Sequence, residues 1–219
     1  MEGKLYIVAT PIGNLGDITL RAVETLKSAD LVLAEDTRVA GKLLAHLGAK
    51  KPIWRFDEYA AAASYEKILS LLEEGKNIAF VSDAGTPNVA DPGAKLVAYL
   101  RDKAPEAGIV PIPGPSAIAA ALSVSGVNAD KFTFLGYPPQ KKGRQTFFNK
   151  LKTIDIKPIV FYESPHRLGK TLEALGEADI IVTKELTKVH EEIWRGKASE
   201  AAGYFKGEKG KGEFVIIII

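Results

Sequence analysis

Residues 5–18 of the chain read LYIVATPIGNLGDI, an apolar run that passes through a proline and two glycines into a polar segment. The apolar run is typical of a buried β-strand, and Asp17 is placed to cap a helix that begins at Ile18. A glycine turn between a strand and a helix lets a ligand approach the backbone N–H groups at the positive end of the helix. The turn is also compatible with a purely structural role, because Gly13 and Gly16 do not complete a dinucleotide fingerprint.

The alternation of apolar runs with helical segments continues along the whole chain. It predicts strands at 5–10, 31–35, 53–56, 77–82, 109–112, 132–135, 158–163, 179–185 and 214–219. Apolar residues from 61 to 72 follow one helical stripe, which Gly75 ends. Asp91-Pro92 and Ser164-Pro165 each read as a helix cap followed by proline at the first helical position. The pattern predicts an α/β protein with largely parallel strands.

A cluster of prolines interrupts this pattern near the middle of the chain. Pro111, Pro113 and Pro115 are followed by a helix of small residues, which Gly126 ends. We predict a domain junction at this point. The N-terminal α/β domain would span residues 1–112, and the C-terminal α/β domain would span residues 113–219.

The composition excludes several classes of protein. The chain has 219 residues, a formal net charge of +2 and no cysteine, which excludes disulfide frameworks, thiolate zinc sites and iron–sulfur clusters. Its three histidines lack a metal-ligand spacing, so we expect no metal site. No signal peptide precedes the first strand, and the longest apolar run, 214–219, is far shorter than the roughly 18 residues of a membrane helix. We therefore expect a soluble, cytoplasmic protein.

Two further loops follow predicted strands. In SDAGTPNVADPG (82–93), helix capping explains Asp91 but not Asp83, and a carboxylate at a strand end suits a ligand with hydroxyls or positive charge. In PGPSA (113–117), the small residues Ser116 and Ala117 open a helix. Close packing against a ligand and contact with another helix would both explain them.

Charged clusters end two of the predicted strands. One is Glu35-Asp36-Thr37-Arg38, and the other lies in YESPHR (162–167). A helix cap explains the serine and proline of the second cluster, but not Glu163, His166 and Arg167 together. Ligands bind at strand ends in α/β folds, although solvated strand ends are the alternative for each cluster.

The positive charge is concentrated in one segment. Residues 131–157 contain seven basic residues and one acid, a net charge of +6, which leaves −4 for the remainder. Within this segment PPQKKGR (138–144) predicts an exposed basic loop able to contact phosphates. A solvated loop that only aids solubility is the alternative.

Taken together and in this order, the motifs closely resemble those of the ribosomal RNA methyltransferases in the tetrapyrrole (corrin/porphyrin) methylase superfamily. The resemblance covers essentially the whole chain and is carried by TPIGNLGDITLR (10–21), EDTR (35–38), SDAGTP (82–87), PGPS (113–116), FYESPHR (161–167) and KELTK (184–188). It implies two α/β domains of tetrapyrrole-methylase type with the cofactor cleft between them, and S-adenosylmethionine as methyl donor. It further implies a homodimer that methylates the 2′-hydroxyl of a decoding-region cytidine in 16S rRNA, within the small ribosomal subunit.

The resemblance also implies residue roles. Carried over by motif, the cofactor pocket would be lined by Pro11, Gly13, Asp83, Ala84, Gly85, Pro87, Ser116, Ala117 and Tyr162. A ribose hydroxyl needs a general base or a cation that favours its alkoxide. Glu163 is the leading base with Glu185 behind it, and Arg38 and Lys184 are candidate cations. The candidate RNA contacts are Lys141, Lys142, Arg144 and Arg167.

Two other functions are compatible with these residues. One is methylation of a tetrapyrrole or another small acceptor by the same fold, and the other is a non-enzymatic role as a cofactor sensor or assembly protein. The charged clusters and the basic loop fit the RNA-methylating group better. Many members of the superfamily continue past the last strand into a small helical region, whereas this sequence ends at Ile219. We expect that any RNA contact made by that region is absent here or is not needed.

Overall fold

The computed structural model describes residues 3–219. The chain divides into two compact units, one ending at Ser116 and the other beginning at Ala117. The sequence prediction put the junction between residues 112 and 113. The proline segment therefore lies at the end of the first unit.

The first unit is a five-stranded parallel sheet covered by helices on both faces. Its strands have the order β3-β2-β4-β1-β5, and every pairing is parallel. The elements are β1 (Lys4–Val8), α1 (Leu20–Ser28), β2 (Leu31–Ala34), α2 (Thr37–His46), β3 (Ile53–Arg55), α3 (Ala62–Glu73), β4 (Ile78–Val81), α4 (Ala94–Lys103) and β5 (Gly108–Ile112), with a 3-10 turn at Leu15–Asp17.

Burial on both faces explains why the central strands are continuously apolar. Helices α1 and α2 pack on one face against Val32 and Val81, and helices α3 and α4 pack on the other against Leu33 and Phe80. Because all five strands are parallel, their carboxyl ends meet at one edge of the sheet. The loops after β1, β2, β4 and β5 therefore share that edge, where ligands bind in such folds.

The second unit contains a mixed sheet of order β6-β7-β10-β8-β9. Its β6–β7 pairing is parallel and its other three pairings are antiparallel, two of them because the last strand inserts between β7 and β8. The expectation of largely parallel strands is thus right for the first unit and wrong for the second. The elements are α5 (Ala117–Ser125), β6 (Thr133–Phe134), α6 (Arg144–Leu151), β7 (Ile159–Glu163), α7 (Pro165–Leu175), β8 (Asp179–Lys184), β9 (Glu192–Lys197), α8 (Ala198–Tyr204) and β10 (Phe214–Ile218), with a 3-10 turn at Gly207–Gly210.

Local boundaries differ from the sequence prediction at two helix starts. Helix α1 begins at Leu20 and is capped by Thr19, whose Oγ1 accepts from Ala22 N at 3.1 Å, so the prediction that Asp17 caps it is wrong. Helix α4 begins after Gly93 without a side-chain cap, so Asp91 and Pro92 lie outside the helix. Helix α7 starts where predicted, with Ser164 at the N-cap position and proline at the first helical position, but the Ser164 hydroxyl makes no capping bond and accepts from Arg167 Nε at 2.9 Å.

Candidate functional site

Hydrogen bonds join three of the predicted ligand loops at the carboxyl edge of the first sheet. Thr10, directly before Pro11, forms a two-bond backbone bridge with Gly85, with N···O distances of 2.8 and 3.0 Å. The Thr86 hydroxyl donates to Pro115 O at 3.1 Å, directly before Ser116. The structure therefore brings together the first-unit residues that the sequence assigned to the cofactor: Pro11, Gly13, Asp83, Ala84, Gly85, Pro87 and Ser116.

Some of these residues are accessible to a ligand, whereas others are buried and determine the conformation of the loop. Gly13, Asp83 and Ala84 are exposed, whereas Gly85 and Pro87 are buried. Gly85 has φ +79°, a conformation that disfavours side chains, and an added Cβ would lie 3.4 Å from Ile12. The loop conformation thus depends on Gly85, while the exposed members are the ones that a ligand could contact.

Acidic side chains line the same edge on the β2 side. A cavity of about 460 Å³ is lined by Glu35, Asp57, Glu58 and Asp91 among others. Burial and the neighbouring carboxylates, chiefly Asp83 and Asp57, raise the pKa of Glu35. Burial likewise raises the pKa of Asp91 to about 6, although a hydrogen bond with Ser82 opposes the shift. This edge therefore favours cationic or hydroxyl-bearing ligand groups over phosphates.

Sequence reasoning did not identify the coupling of these acids. Glu35, Asp57 and Asp91 lie in loops after three different strands. The sequence feature that could have predicted their proximity is an acidic residue after each of several parallel strands, because such strands end at the same edge of the sheet. The prediction that Asp91 is a helix cap obscured its place in the cavity. Its actual neighbours are other carboxylates.

Arg38 lies beside this edge in an exposed ion pair. Its Nε donates to both carboxylate oxygens of Asp36, at 3.0 and 3.2 Å, and the hydrogen bonds hold the pKa of Asp36 well below its usual range. The backbone N–H of Asp36 donates in turn to Asp83 Oδ1 at 3.1 Å. Arg38 is therefore accessible to solvent but already has a bidentate partner.

In the second unit, Glu163 is the centre of a buried polar network. Its side chain has no solvent exposure, and its Oε1 accepts from Ser164 N at 2.8 Å and lies 2.9 Å from Arg167 Nη2. Its Oε2 accepts from the Thr171 hydroxyl and lies 3.7 Å from Arg144 Nη2. Both oxygens are thus engaged within the protein, which leaves the carboxylate poorly placed to accept a proton from a substrate.

The same two arginines hold the base of the basic loop. Arg167 Nη1 donates to Pro138 O at 2.7 Å, and Arg144 Nη1 donates to Pro139 O at 3.2 Å. The side chains of both arginines are less than one-fifth exposed. Of the four predicted RNA contacts, these two are therefore committed to the protein, whereas Lys141 and Lys142 are exposed.

Tyr162 lies in a cluster of aromatic rings next to this loop. Its ring centroid is 5.1 Å from that of Phe134 and 5.3 Å from that of Tyr137. The guanidinium carbon of Arg167 lies 5.9 Å from the centroid of Tyr137. The cluster therefore borders the basic loop, because Tyr137 directly precedes Pro138, whose carbonyl accepts from Arg167.

Ala117, the other residue of the second unit predicted to contact the cofactor, is half-buried at the start of α5.

Lys184 and Glu185 lead into a constrained turn after β8. Glu185 and Thr187 adopt positive φ angles of 48° and 66°, which cost energy for residues other than glycine. Glu185 Oε1 accepts from Lys188 Nζ at 3.0 Å and from Glu213 N at 2.9 Å. Burial alone would raise the pKa of Glu185, but these two hydrogen bonds, together with the positive charges of Lys188 and Lys184, outweigh it and lower the pKa. Glu185 is therefore a weaker base than an isolated glutamate.

Lys184 differs from its neighbours in this turn. It is 8% exposed, and in residues 3–219 no carboxylate oxygen lies within ion-pair distance of its ammonium group. It lines a cavity of about 710 Å³ together with His190, two other lysines and four glutamates, among them Glu185. A largely buried cation beside a cavity is able to stabilise negative charge there.

Residues 3–219 contain neither a cluster of metal-ligating side chains nor a helix able to cross a membrane. No group of three or more His, Cys, Asp or Glu side chains in this range is arranged to hold a metal ion. None of the helices described is long and apolar enough to cross a membrane.

Comparison with solved structures identifies the fold. Diphthine synthase superposes with a TM-score of 0.74 at 14% identity, covering 98% of this chain and 89% of that chain. Cobalt precorrin-4 methyltransferase superposes with a TM-score of 0.71 at 18% identity, covering 98% and 94%. At these identities the likeness concerns the fold alone.

Comparison of sequences gives the family. The family model described as Tetrapyrrole (Corrin/Porphyrin) Methylases matches residues 4–202. Ribosomal RNA small subunit methyltransferase I of Thermotoga maritima is 46% identical, covering 99% of this chain and 98% of the relative. The enzymes of the same name from Synechocystis sp. and Bacillus subtilis are 45% and 43% identical, each covering 99% of this chain and 78% and 75% of the relative. The chain therefore belongs to the tetrapyrrole (corrin/porphyrin) methylases, and within them to the ribosomal RNA small subunit methyltransferase I family.

Proposed function

We propose that the chain transfers a methyl group from S-adenosylmethionine to the 2′-hydroxyl of a cytidine in the decoding region of 16S rRNA. The observation that carries the RNA part is the concentration of positive charge on the second unit. All six lysines between residues 131 and 157 are exposed, in a segment that holds one acid. Such a surface attracts a phosphate backbone. The relatives that align with 99% of this chain are named ribosomal RNA small subunit methyltransferase I, which agrees with an RNA substrate.

The residues at the carboxyl edge of the first sheet fit the proposed cofactor. S-adenosylmethionine supplies a methyl group on a positively charged sulfonium, and it also carries an amino group and ribose hydroxyls. An acidic edge with Glu35 and the exposed Asp83 is suited to such groups, and the exposed Gly13 leaves its backbone accessible. We assign cofactor contacts to Pro11, Gly13, Asp83, Ala84, Ser116, Ala117 and Tyr162, and we assign the buried Gly85 and Pro87 to shaping the loop. No metal is part of the proposal.

Activation of the acceptor hydroxyl is assigned to cations rather than to Glu163. Every oxygen of Glu163 already accepts hydrogen bonds in the buried network, so we propose that it positions Arg144 and Arg167. Lys184 is the better candidate to stabilise negative charge developing on the ribose oxygen, because it is buried beside a cavity. Glu185 remains the second candidate base, and Arg38 is proposed to contact a flanking phosphate.

On the RNA side, the proposal rests on Lys141 and Lys142. Both are exposed, and their loop is anchored at its base by Arg144 and Arg167. The two arginines therefore support the loop from below and make a smaller direct contribution to phosphate binding. The homodimer and the cytoplasmic location remain predictions, which light scattering and cell fractionation would measure.

The test is a methyl-transfer assay with a mapped product. The protein is incubated with radiolabelled S-adenosylmethionine and small ribosomal subunits from a strain that lacks the modification, and the labelled nucleotide is located. Label on the ribose of one decoding-region cytidine is the expected result. Label on a cobalt-free corrinoid or porphyrin offered in parallel, with none on rRNA, would reverse the assignment in favour of a tetrapyrrole acceptor.

A further inference from the structure

We propose that Tyr137 is a stacking site for an unpaired nucleobase of the RNA substrate, beside the phosphate-binding lysines of the basic loop. The inference rests on the proposed RNA-methylating function and adds a subsite to it. Tyr137 directly precedes the PPQKKGR loop, and 55% of its surface is exposed. A large aromatic side chain exposed next to exposed lysines is the combination that binds single-stranded nucleic acid.

The surroundings of Tyr137 hold its ring in a defined position. The Tyr162 ring lies 5.3 Å away at an interplanar angle of 55°, and the Arg167 guanidinium lies 5.9 Å from the ring centroid. Arg167 is in turn anchored by the buried carboxylate of Glu163 and by Pro138 O. A ring that is already ordered loses little conformational entropy when a base stacks on it, which favours binding.

The position of the ring also suits the reaction. Tyr137 is in contact with Tyr162, one of the two residues of this unit that the proposed function assigns to the cofactor. A base stacked on Tyr137 would therefore lie one ring away from that contact. Lys141 and Lys142 follow within the same loop, so the phosphates flanking a stacked nucleotide would meet positive charge.

An alternative occupant is less consistent with the surface. A protein partner would be expected to meet an extended apolar patch, whereas the residues that follow Tyr137 are a buried and a half-buried proline, the exposed Gln140 and two exposed lysines. Stacking with electrostatic contact suits a nucleotide, which offers an apolar face and a negative charge together.

The test measures affinity for two RNAs by fluorescence anisotropy. One probe is a fluorescein-labelled decoding-region hairpin with unpaired bases, and the other is the same stem fully paired. Tyr137→Ala is expected to weaken hairpin binding by about 5- to 150-fold and to leave the paired stem unaffected. Tyr137→Phe should retain nearly full affinity, because the ring and not the hydroxyl stacks. Tyr59→Ala, at an 84% exposed tyrosine of the first unit, is the matched control.

Salt dependence separates stacking from charge. The double variant Lys141→Ala, Lys142→Ala should flatten the slope of log affinity against log salt by about 1.4, whereas Tyr137→Ala should leave the slope unchanged. S-adenosylmethionine affinity, measured by calorimetry, should be the same in wild type and Tyr137→Ala.

Four results would overturn the proposal. They are unchanged hairpin affinity in Tyr137→Ala, equal losses in Tyr137→Phe and Tyr137→Ala, equal losses for both RNAs, and a parallel loss of cofactor affinity that would place the effect at Tyr162. If the wild-type protein methylates small ribosomal subunits and Tyr137→Ala binds the hairpin normally, only the stacking site is refuted and the proposed function stands. A wild-type protein that neither methylates subunits nor binds the hairpin removes both.

Discussion

Replacing Glu163 by glutamine distinguishes a positioning carboxylate from a catalytic base. The substitution keeps the size of the side chain but removes its charge, and it turns one acceptor oxygen into an NH₂ donor. That donor would face the Thr171 hydroxyl, which donates to Glu163, or the guanidinium groups of Arg144 and Arg167, which form ion pairs with it. The variant therefore leaves two arginines without their shared counter-charge.

The size of the effect follows from the burial of the group. Removing one partner of a buried ion pair lowers the free energy of unfolding by about 3–5 kcal/mol. Because the two arginine side chains keep 18% and 19% exposure, water solvates part of the freed charge. We therefore expect about 3 kcal/mol, at the lower end of that range. For a chain of this length, that corresponds to a melting temperature lower by roughly 6–12 °C.

The assay is urea unfolding followed by far-ultraviolet circular dichroism, with methyl transfer measured on the folded protein. Glu163→Gln should lower the unfolding midpoint without changing the slope of free energy against urea. Glu173→Gln, an exposed acid on the same helix α7, is the control and should stay within about 0.5 kcal/mol of wild type. If Glu163→Gln is as stable as this control and yet transfers no methyl group, the carboxylate takes part in the chemistry and the positioning role is refuted.

Three other predictions concern Asp91, the glycines Gly93 and Gly41, and Lys184. Burial raises the pKa of Asp91 to about 6, so the folded protein binds a proton at this carboxyl more tightly than the unfolded chain does. The free energy of unfolding therefore falls as the pH rises from about 4 to 6. In urea unfolding, Asp91→Asn should stabilise the protein more at pH 7 than at pH 4.5. Gly93 has a φ of +121°, and a Cβ added there would lie 2.1 Å from a ring carbon of Phe80, so Gly93→Ala should lower the free energy of unfolding by about 2 kcal/mol or more. Gly41 lies in helix α2 with room for a methyl group, so Gly41→Ala, the control, should raise the free energy of unfolding by about 0.4–1 kcal/mol. Lys184→Met should lower the single-turnover rate by about 10²- to 10³-fold at unchanged cofactor affinity, and a rate near wild type would exclude the cation role.

Most of the strand pattern was predictable because burial leaves a local signature. Nine predicted strands correspond to strands of the structure, each with at least one end that differs by one or two residues. The strand that was missed, β9 (Glu192–Lys197), pairs only with β8 at the edge of its sheet. Its residues are half-buried or exposed and include charged side chains, so it lacks the apolar run that marked the others.

The helix starts show where local chemistry is ambiguous. Asp17 and Asp91 are both acidic residues placed shortly before a helix, and either could accept from a free N–H group. In the folded chain Thr19 caps α1, and α4 starts after Gly93 with Asp91 in an acidic cavity. Several residues near a helix start are chemically able to cap it, and tertiary contacts choose among them.

The sequence alone determined the fold class, the family and the edge of the first sheet at which the ligand loops gather. These follow from periodicity and motif order, which are properties of neighbouring residues, and from the rule that parallel strands end together. Only the tertiary structure decided which charged residues are available. Glu163 is buried among Arg167 and Thr171 of its own segment and Arg144, nineteen positions earlier in the chain, and Glu185 is bonded to the backbone of Glu213. Whether a carboxylate can act as a base depends on its burial and hydrogen-bond partners, and both are set by the folded chain, to which near and distant segments contribute.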